Sequence, residues 1–392
     1  MKYRMLFCLL AVALLAGCVK VDVPDSYRFD FGGDDKKDSD SSDTHRDSYR
    51  PSQVPDGGNW TEVLRGVATS LGGHIVGAER GFVYYAFDSL AYPGKSVPLT
   101  VRLQEVSGRK VLKDVEGAVI EFRHDGKALG TARTDEDGYA AIEWTPKKKG
   151  TYRFEAVVTS APRGASEEAT ELTPAPFVVT AAEKKARIAI IDLDHTVYDA
   201  PFWRFLLTGA GRPMKNSVRV TQRIDKDYTL TYLTHRPDLL TAKSKSWLTD
   251  HEYPLAPLLV AELEDAMDSG AFKTGKIKAL KKWYPKAALG IGDKISDAQA
   301  YIDNGLTAYL IPHYDPEDPD EMRQVAGQID AMRGRGRLQV VTRWEQIEAG
   351  IFEGKKFPPG PFVKWLRNQA DRVARRQRED DDDEDDEDDD DD

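Results

Sequence analysis

Apolar and polar residues alternate in the first half of the chain. This alternation is typical of half-buried β-strands, because successive side chains of a strand point to opposite faces of a sheet. Turn-forming pairs such as Asp125-Gly126 and Asp137-Gly138 separate the alternating segments. The predicted strands are 96–105, 118–124, 129–134, 139–144 and a further strand that begins at residue 150. With a short helix at 60–70, they predict an antiparallel β-sandwich domain over residues 59–180.

Short unbroken apolar runs alternate with helical periodicity in the second half. Parallel strands buried on both faces have continuous apolar sequences, and the helices between them complete βαβ units. The predicted strands are 187–191, 229–233, 257–260, 287–291, 308–311 and 339–342, and the predicted helices are 238–247, 274–283, 297–304, 320–332 and 344–351. This order predicts an α/β domain over residues 185–352, built on a doubly wound parallel sheet.

The chain ends in a basic amphipathic segment and an acidic run. Over residues 361–378 the apolar side chains recur at helical spacing, and the charged side chains sum to +5. The apolar face of this predicted helix either packs against the α/β domain, which we favour, or lies on anionic lipid. Residues 379–392 are fourteen consecutive Asp and Glu residues, so we expect a disordered acidic tail.

The acidic tail also explains the net charge. The formal charge is -11, and removing the fourteen acidic residues of the tail leaves +3. The remaining chain is therefore almost neutral, and its charge does not indicate a nucleic-acid partner. The chain has two cysteines, Cys8 and Cys18. If Cys8 is removed with a signal peptide, no pair remains for a disulfide, and the stability of the fold has to come from packing.

The first residues have the pattern of an export signal. Lys2 and Arg4 precede an apolar run that is too short to span a bilayer, and small residues precede Cys18. This pattern resembles a bacterial lipoprotein signal; the alternatives are an ordinary signal peptide and an apolar segment that is retained. The resemblance implies a signal peptide over 1–17, a lipid on Cys18 and attachment to a membrane of the bacterial cell envelope, outside the cytoplasm. The polar segment 18–58 is then a disordered tether.

Reactive side chains follow the predicted strands of the α/β domain. Ligands of open α/β sheets bind beyond the carboxyl ends of the strands, so we expect these side chains to meet there. Several carboxylates in one place repel one another unless a cation lies among them. Mg²⁺ suits such a site, because it binds carboxylate oxygens and keeps waters that a phosphate can replace. The set comprises Asp192 and Asp194 after the first strand, Thr234 after the second, Lys273 at a helix start, and Asp293 and Asp297 after the fourth.

The order of these motifs resembles the haloacid dehalogenase superfamily of phosphotransferases, over about residues 186–349. The resemblance implies an aspartyl-phosphate mechanism in which Asp192 is the nucleophile and Asp194 is the general acid and base. It also implies that Thr234 and Lys273 bind the phosphate. The implied ligands of Mg²⁺ are the carboxylates of Asp192, Asp293 and Asp297 and the backbone carbonyl of Asp194.

Within this superfamily, three stretches are similar to the catalytic domain of lipin-type phosphatidate phosphatases. They are Tyr232-Leu233-Thr234-His235-Arg236-Pro237, Phe272-Lys273 and Gly292-Asp293-x3-Asp297-Ala298. Those proteins also combine this catalytic fold with a β-sandwich, and the sandwich sequence here resembles Ig-like or transthyretin-like repeats of exported bacterial proteins. The segments between the motifs are too short for a large cap domain. The implied site is therefore capless and open, which suits a bulky substrate such as a phospholipid.

Three assignments stay open at this point. Lys276 and Lys278 compete with Lys273 for the role of the phosphate-binding lysine. Arg236 either binds the phosphate or holds its own loop in place. His195 stands where glycine is commonest in the superfamily, although that position varies.

Taken together, the motifs predict a membrane-anchored, Mg²⁺-dependent phosphatase of phosphate monoesters, with phosphatidate or a related phospholipid as the substrate. One alternative is a phosphatase of soluble exported phosphate esters. A second alternative, from another class, is a surface binding protein whose α/β domain is vestigial. The sandwich has no catalytic pattern of its own, so we expect it to be a spacer or a binding module.

Overall fold

The computed structural model describes residues 74–75, 80–107, 110–162, 169–170, 172–199, 211–261 and 269–387. The predicted signal peptide, Cys18, the tether and the helix at 60–70 lie outside these residues. In the described part of the chain, no helix has both the length and the apolar character needed to cross a membrane. The described residues form a β-sandwich, an α/β unit and a long C-terminal helix.

Ten strands of the described residues form the two sheets of the sandwich. They are β1 (His74–Ile75), β2 (Arg80–Ala86), β3 (Ser89–Ala91), β4 (Val97–Ser107), β5 (Lys110–Asp114), β6 (Val119–His124), β7 (Lys127–Arg133), β8 (Tyr139–Trp144), β9 (Gly150–Ser160) and β10 (Ala175–Ala181). One sheet has the order β1-β2-β4-β5, with β8 also paired to β4, and the other has the order β3-β10-β9-β6-β7. The five predicted strands begin and end within two residues of the observed ones wherever the prediction gave a boundary.

One pair of the sandwich departs from the antiparallel prediction. Strands β3 and β10 are parallel, with Ser89 opposite Val179, whereas the other pairs of the described sandwich are antiparallel. The chain leaves β2, crosses to the second sheet at Asp88, and adds β3 along the free edge of β10. The direction of β3 is thus set by this crossing, which the alternation pattern does not encode.

Six parallel strands form the sheet of the α/β unit. They are β11 (Ile188–Ile191), β12 (Thr229–Pro237), β13 (Leu258–Ala261), β14 (Leu289–Gly292), β15 (Thr307–Leu310) and β16 (Leu338–Val340). Their order is β13-β12-β11-β14-β15-β16, and the parallel sheet predicted from the sequence is confirmed. The order runs outward from β11 in one direction and from β14 in the other. Ligands of open α/β sheets bind in the crevice at such a switch point.

Helices cover both faces of this sheet. They are α1 (Ser217–Ile224), α2 (Thr241–Asp250), α3 (Ser269–Trp283), α4 (Ile295–Asp303), α5 (Pro319–Ala331), α6 (Trp344–Phe352) and α7 (Pro359–Glu387). Apolar side chains of α1, α2 and α6 pack on one face, and those of α3, α4, α5 and α7 pack on the other. Helix α1 was not predicted, because two of its four buried residues, Ser217 and Thr221, are polar and weaken the apolar periodicity.

Helix α7 packs on the same face of the sheet as α5. Its residues Val363, Leu366, Ala370 and Val373 are buried in the apolar cluster to which α5 also contributes. The apolar face of the helix thus packs against the α/β unit, which is the alternative we favoured. The helix continues through Glu387, nine residues into the segment predicted to be disordered. That prediction is wrong for 379–387, because extending an existing helix needs no new nucleus. Residues 388–392 lie outside the described residues.

Candidate active site

Asp192 lies directly after β11. All four residues of this strand are buried, because the strand is covered on both faces and has a neighbour on each side. The backbone N–H of Asp192 donates to the carbonyl of Ile291 on β14 at 3.0 Å, which prolongs the parallel pairing to this residue. Asp192 itself is 3% exposed. A continuous apolar strand thus carries a carboxylate into the crevice at the switch point of the sheet.

Two further carboxylates lie beside Asp192. Asp293 directly follows β14, and Asp297 is in the first turn of α4; both are buried. One carboxylate oxygen from each of the three residues lies within 4.8 Å of the others. Gly292 permits this arrangement, because a Cβ atom at that position would lie 3.3 Å from both Cβ and Oδ2 of Asp297. The structure therefore brings together three of the four carboxylates that the sequence singled out.

Lys273 lies in the same cluster. Its Nζ is 2.8 Å from Oδ1 of Asp192 and donates to Oδ2 of Asp297 at 2.5 Å, and the residue is 2% exposed. Burial opposes the charge on Lys273, but the Asp192 and Asp297 carboxylates outweigh it and raise the pKa of the lysine well above its usual value. The competing lysines at 276 and 278 are exposed. Lys273 lies within α3 rather than at the predicted helix start, one turn after Ser269.

The carboxylate cluster has more oxygen atoms than it has hydrogen-bond donors. Oδ1 of Asp293 and Oδ1 of Asp297 are buried and make no hydrogen bond among the described residues. Burial raises the pKa of Asp293 well above its usual value, and the charges of Asp192 and Asp297 add to the rise. Burial likewise raises the pKa of Asp192. Lys273 supplies one positive charge to three carboxylates, so the unpartnered oxygens fit a divalent ion that binds oxygen, as Mg²⁺ does.

Asp194 is held by Arg236. The guanidinium donates from Nη2 to Oδ1 of Asp194 at 2.6 Å and from Nε to both carboxylate oxygens at 3.1 Å. Its Nη1 donates to Oγ of Ser244 on α2 at 3.0 Å, and its carbon Cζ lies 5.1 Å from the ring centroid of Tyr198. Arg236 is 2% exposed. Of the two roles left open for Arg236, these contacts favour holding the loop and its acidic partner, while phosphate binding by Arg236 stays a prediction.

His195 has a left-handed backbone conformation, with φ at 51°. Glycine adopts this conformation without strain, whereas a residue with a Cβ atom adopts it at a cost. The imidazole ring packs edge-on against His313, with ring centroids 4.1 Å apart. Burial lowers the pKa of His195, and the neighbouring His313 lowers it further. His195 therefore keeps a left-handed conformation despite its Cβ atom, and the ring contact with His313 helps to hold the residue in place.

Thr234 is fully buried in β12. In the parallel register Tyr232 lies opposite Ile191, so Thr234 comes two residues after the last pair between β11 and β12. Its Oγ1 accepts a hydrogen bond from the backbone N–H of Arg236 at 3.2 Å. The strand extends to Pro237, beyond the predicted end, and its pairing with β13 shifts register between Leu233 and Pro237. The predicted phosphate-binding hydroxyl thus lies at an irregular strand end.

Sequence reasoning missed three residues that surround Asp194. Tyr198 and Ser244 contact the guanidinium that holds Asp194, and His313 packs on the residue that follows it. His313 comes three residues after the end of β15, so its place at the edge of the sheet where the strands end could have been inferred from the strand order. No sequence signal marks Tyr198 or Ser244, because their contacts depend on how α2 and the loop after β11 pack.

Part of the α/β unit matches a known family. Residues 212–311 match the model of the LNS2 domain of PITM 1-3. The matched residues include Thr234, Lys273, Asp293 and Asp297, and the match begins after Asp194. No curated protein matches the chain.

Three similar solved structures each align with about a quarter of the chain. The CARDB domain of the PF1109 protein from Pyrococcus furiosus is 16% identical, with 28% of this chain and 94% of that domain covered and a TM-score of 0.20. The D0-D1 domain of Intimin is 21% identical, with 25% and 45% covered and a TM-score of 0.18. The complex of titin M10 with obscurin-like 1 Ig is 15% identical, with 27% and 95% covered and a TM-score of 0.17. Scores this low do not define a fold, so the sandwich rests on its own strand pairing.

Proposed function

We propose that the chain is a Mg²⁺-dependent phosphatase of the haloacid dehalogenase type, which hydrolyses a phosphate monoester through an aspartyl-phosphate on Asp192. One observation carries the proposal: three buried carboxylates and a buried lysine meet at the switch point of the parallel sheet, with two carboxylate oxygens unpartnered. The match of residues 212–311 to the LNS2 model, which belongs to phosphatase-related proteins, supports a hydrolase. Buried carboxylate oxygens usually have hydrogen-bond partners, so these two oxygens call for a partner such as a bound cation.

Asp192 is suited to nucleophilic attack. Its carboxylate is held in one direction by the contact of Oδ1 with Lys273, and the lysine favours the charged form that attacks phosphorus. In the first step a bond forms between an Asp192 oxygen and phosphorus while the bond from phosphorus to the ester oxygen breaks. Lys273 and Thr234 are the groups that would hold the other phosphate oxygens, where negative charge spreads in the transition state.

Asp194 is suited to proton transfer. In the first step it gives its proton to the departing ester oxygen, and in the second step it accepts a proton from the water that attacks the aspartyl-phosphate. The second step breaks the bond between Asp192 and phosphorus and releases inorganic phosphate. Asp194 is more exposed than the three clustered carboxylates, with 18% of its side chain accessible, so it can reach both the leaving group and water. Arg236 fixes the direction of its carboxylate.

Mg²⁺ would be held by Asp192, Asp293 and Asp297, with the backbone carbonyl of Asp194 as a further ligand by resemblance. When bound, it supplies positive charge that stabilises the phosphate oxygens in the transition state. The ion would also satisfy the two unpartnered oxygens of Asp293 and Asp297.

For the substrate we propose phosphatidate or a related phospholipid. The lipin-like motifs around Thr234 and Lys273 support this class, and the proposed lipid on Cys18 would hold the enzyme at a membrane of the bacterial cell envelope. The β-sandwich and the tether would then keep the active site at a short distance from the lipid surface. The chemistry at Asp192 does not depend on this choice of substrate.

The enzyme proposal is tested with the full chain, purified in detergent and supplied with Mg²⁺ and p-nitrophenyl phosphate. The Asp192→Asn variant removes the nucleophile and keeps the size of the side chain. We expect it to lower kcat by about 10³-fold or more, since a covalent mechanism has no substitute for the attacking oxygen. The matched control is Asp227→Asn, which changes an exposed aspartate in the turn after α1 and leaves kcat unchanged.

Two results would contradict the proposal: a wild-type chain without Mg²⁺-dependent activity, or an Asp192→Asn variant as active as the wild type. The first would favour the surface binding protein with a vestigial α/β unit. A comparison of phosphatidate in mixed micelles with soluble phosphate esters then tests the substrate. A higher kcat/KM for soluble esters would contradict the phospholipid proposal and favour a soluble exported substrate.

A further inference from the structure

The sandwich and the catalytic loop are joined by a buried charged residue. Arg102 on β4 is 6% exposed, and its Nη1 donates to Oδ2 of Asp238 in the α/β unit at 3.0 Å. The rest of the guanidinium is held by the sandwich: Nη2 donates to Asp114 at 3.1 Å, Nε donates to the carbonyl of Asp137 at 3.3 Å, and Cζ lies 4.7 Å from the ring centroid of Tyr139. Arg102 is therefore a fixed point of the sandwich that reaches into the neighbouring unit.

Asp238 lies at the end of the loop that controls the candidate acid and base. It is 1% exposed and comes two residues after Arg236, which holds Asp194. The carbonyl of Asp238 accepts a hydrogen bond from Oγ1 of Thr241 at 2.5 Å, so the residue also fixes the start of α2. Ser244, the second partner of the Arg236 guanidinium, lies on that helix. The positions of Arg236 itself and of Ser244 thus depend on where Asp238 lies.

The hydrogen bonds between neighbouring strands do not by themselves fix the loop that precedes Asp238. The pairing of β12 with β13 shifts register between Leu233 and Pro237, which is the segment that contains Thr234 and Arg236. Asp238 follows the irregular segment directly, and Arg102 anchors it from the sandwich. Apolar contacts alone could join the two units, and they would avoid the cost of burying a charge pair. A buried charge pair adds a fixed direction and distance, because misplacing either partner leaves an unpaired charge.

We propose that Arg102 is a positioning residue for Asp194, acting through Asp238 and Arg236, so that the sandwich forms part of the catalytic apparatus. This inference rests on the proposed phosphatase function. It replaces the expectation from the sequence that the sandwich is a spacer or a binding module. The role is one of orientation: Arg102 touches neither the carboxylate cluster nor Asp194, and it sets the angle at which the acid meets the leaving group.

The experiment compares two esters that differ in their need for an acid. The departing oxygen of phenyl phosphate needs a proton, whereas that of 2,4-dinitrophenyl phosphate is stable as an anion. The quantity compared is kcat/KM, which includes the steps up to formation of the aspartyl-phosphate. For Arg102→Met in the full chain with Mg²⁺, we expect kcat/KM to fall at least about tenfold with phenyl phosphate and less than about threefold with the dinitrophenyl ester. Asp194→Asn should also lower kcat/KM more for phenyl phosphate than for the dinitrophenyl ester, and the difference should be larger than for Arg102→Met.

Two further variants separate positioning from stability. Asp238→Asn keeps the shape of the partner and removes its charge, so it should give the same dependence on the ester even if Arg102→Met does not fold. Phe122→Ala creates a cavity in the sandwich core, on the sheet that does not contain Arg102, and should lower the Tm without changing the ratio of the two kcat/KM values.

The proposal is overturned if Arg102→Met and Asp238→Asn reduce kcat/KM equally for both esters, or leave it unchanged for both. It is also overturned if Phe122→Ala reproduces their dependence on the ester. A wild-type chain that hydrolyses neither ester with Mg²⁺ would instead overturn the proposed function on which the inference rests. The two failures are therefore distinguished within one set of measurements.

Discussion

At the scale of single residues, the geometry of the carboxylate cluster depends on a glycine, which has no side chain. Gly290 lies in β14 against the ring of Tyr301 on α4, and a Cβ atom at that position would lie 2.3 Å from the ring. Tyr301 is fully buried, and its hydroxyl donates to the carbonyl of Ile291 at 3.4 Å. The close approach of β14 and α4 places Asp293 and Asp297 side by side. A glycine in a strand, usually unfavourable, is here required by packing.

We expect Gly290→Ala to destabilise the fold by about 1–3 kcal/mol, because the added methyl group overpacks a fully buried contact. Thermal unfolding followed by circular dichroism measures the effect. The control is Gly327→Ala in α5, where a Cβ atom meets nothing within 4 Å, and the higher helix propensity of alanine should raise the Tm. Equal Tm values for the wild type and Gly290→Ala would contradict this account of the β14–α4 contact.

At the scale of elements, a single carboxylate ties two helices on the same face of the sheet. Glu348 on α6 accepts hydrogen bonds from Arg219 and Arg223 on α1, at distances between 2.5 and 2.9 Å. These hydrogen bonds, from Arg219 and then Arg223, lower the pKa of Glu348 from 4.5 to about 2. Helix α1 has only eight residues, and contacts of this kind with a neighbouring helix supplement its small apolar face.

Because the pKa of Glu348 is lower in the folded than in the unfolded chain, its contribution to stability is present above about pH 4.5 and is lost as the pH falls toward 2. We expect Glu348→Gln to lower the free energy of unfolding by about 1 kcal/mol at pH 7, a modest value because the two arginines are half exposed. At pH 2 the variant and the wild type should be equally stable. Unfolding in denaturant across this pH range measures the difference. A difference that does not change with pH would contradict the assignment.

At the scale of the whole molecule, the sandwich and the α/β unit share buried polar contacts. Asp88, between β2 and β3, accepts hydrogen bonds from the backbone N–H of Val178 within the sandwich and of Leu258 on the edge strand β13, at 2.8 and 2.9 Å. It also pairs with Lys245 on α2 at 2.8 Å. The hydroxyl of Tyr284 donates to the carbonyl of Ala91 at 2.6 Å. Because these groups are satisfied only when the two units are together, we expect the units to unfold together.

We expect Asp88→Ala to lower the free energy of unfolding by about 3 kcal/mol, because it leaves two buried N–H groups and a lysine without their partner. Asp88→Asn keeps one acceptor oxygen, so its free energy of unfolding should lie between those of Asp88→Ala and the wild type. Denaturant unfolding followed by circular dichroism measures this series, with Asp227→Ala as the exposed control. Two separate transitions in the wild type, with Asp88→Ala affecting only one, would contradict the coupling of the two units.

Much of the fold could be predicted from the sequence because its signals are local. Period-two alternation and Asp-Gly turns marked five of the ten described strands of the sandwich, and unbroken apolar runs marked the parallel strands. Helix α1 and the parallel pair of β3 and β10 were missed, because polar burial and a crossing between sheets leave no periodic signal. At the site, the order of strands predicted that Asp192, Asp293 and Asp297 would share one edge, and the structure places them together. Their roles in catalysis stay predictions.

The sequence by itself determined which residue types follow which strands, and hence that carboxylates, a hydroxyl and a lysine belong to one edge of a parallel sheet. Only the tertiary structure shows which of Lys273, Lys276 and Lys278 lies in the carboxylate cluster, because helix packing selects which lysine is buried against Asp192. It also shows that Arg236 pairs with Asp194, and that Arg102 pairs with Asp238, 136 positions away in the chain. Such contacts depend on the packing of elements that are distant in sequence, and periodicity and spacing describe neighbours along the chain alone.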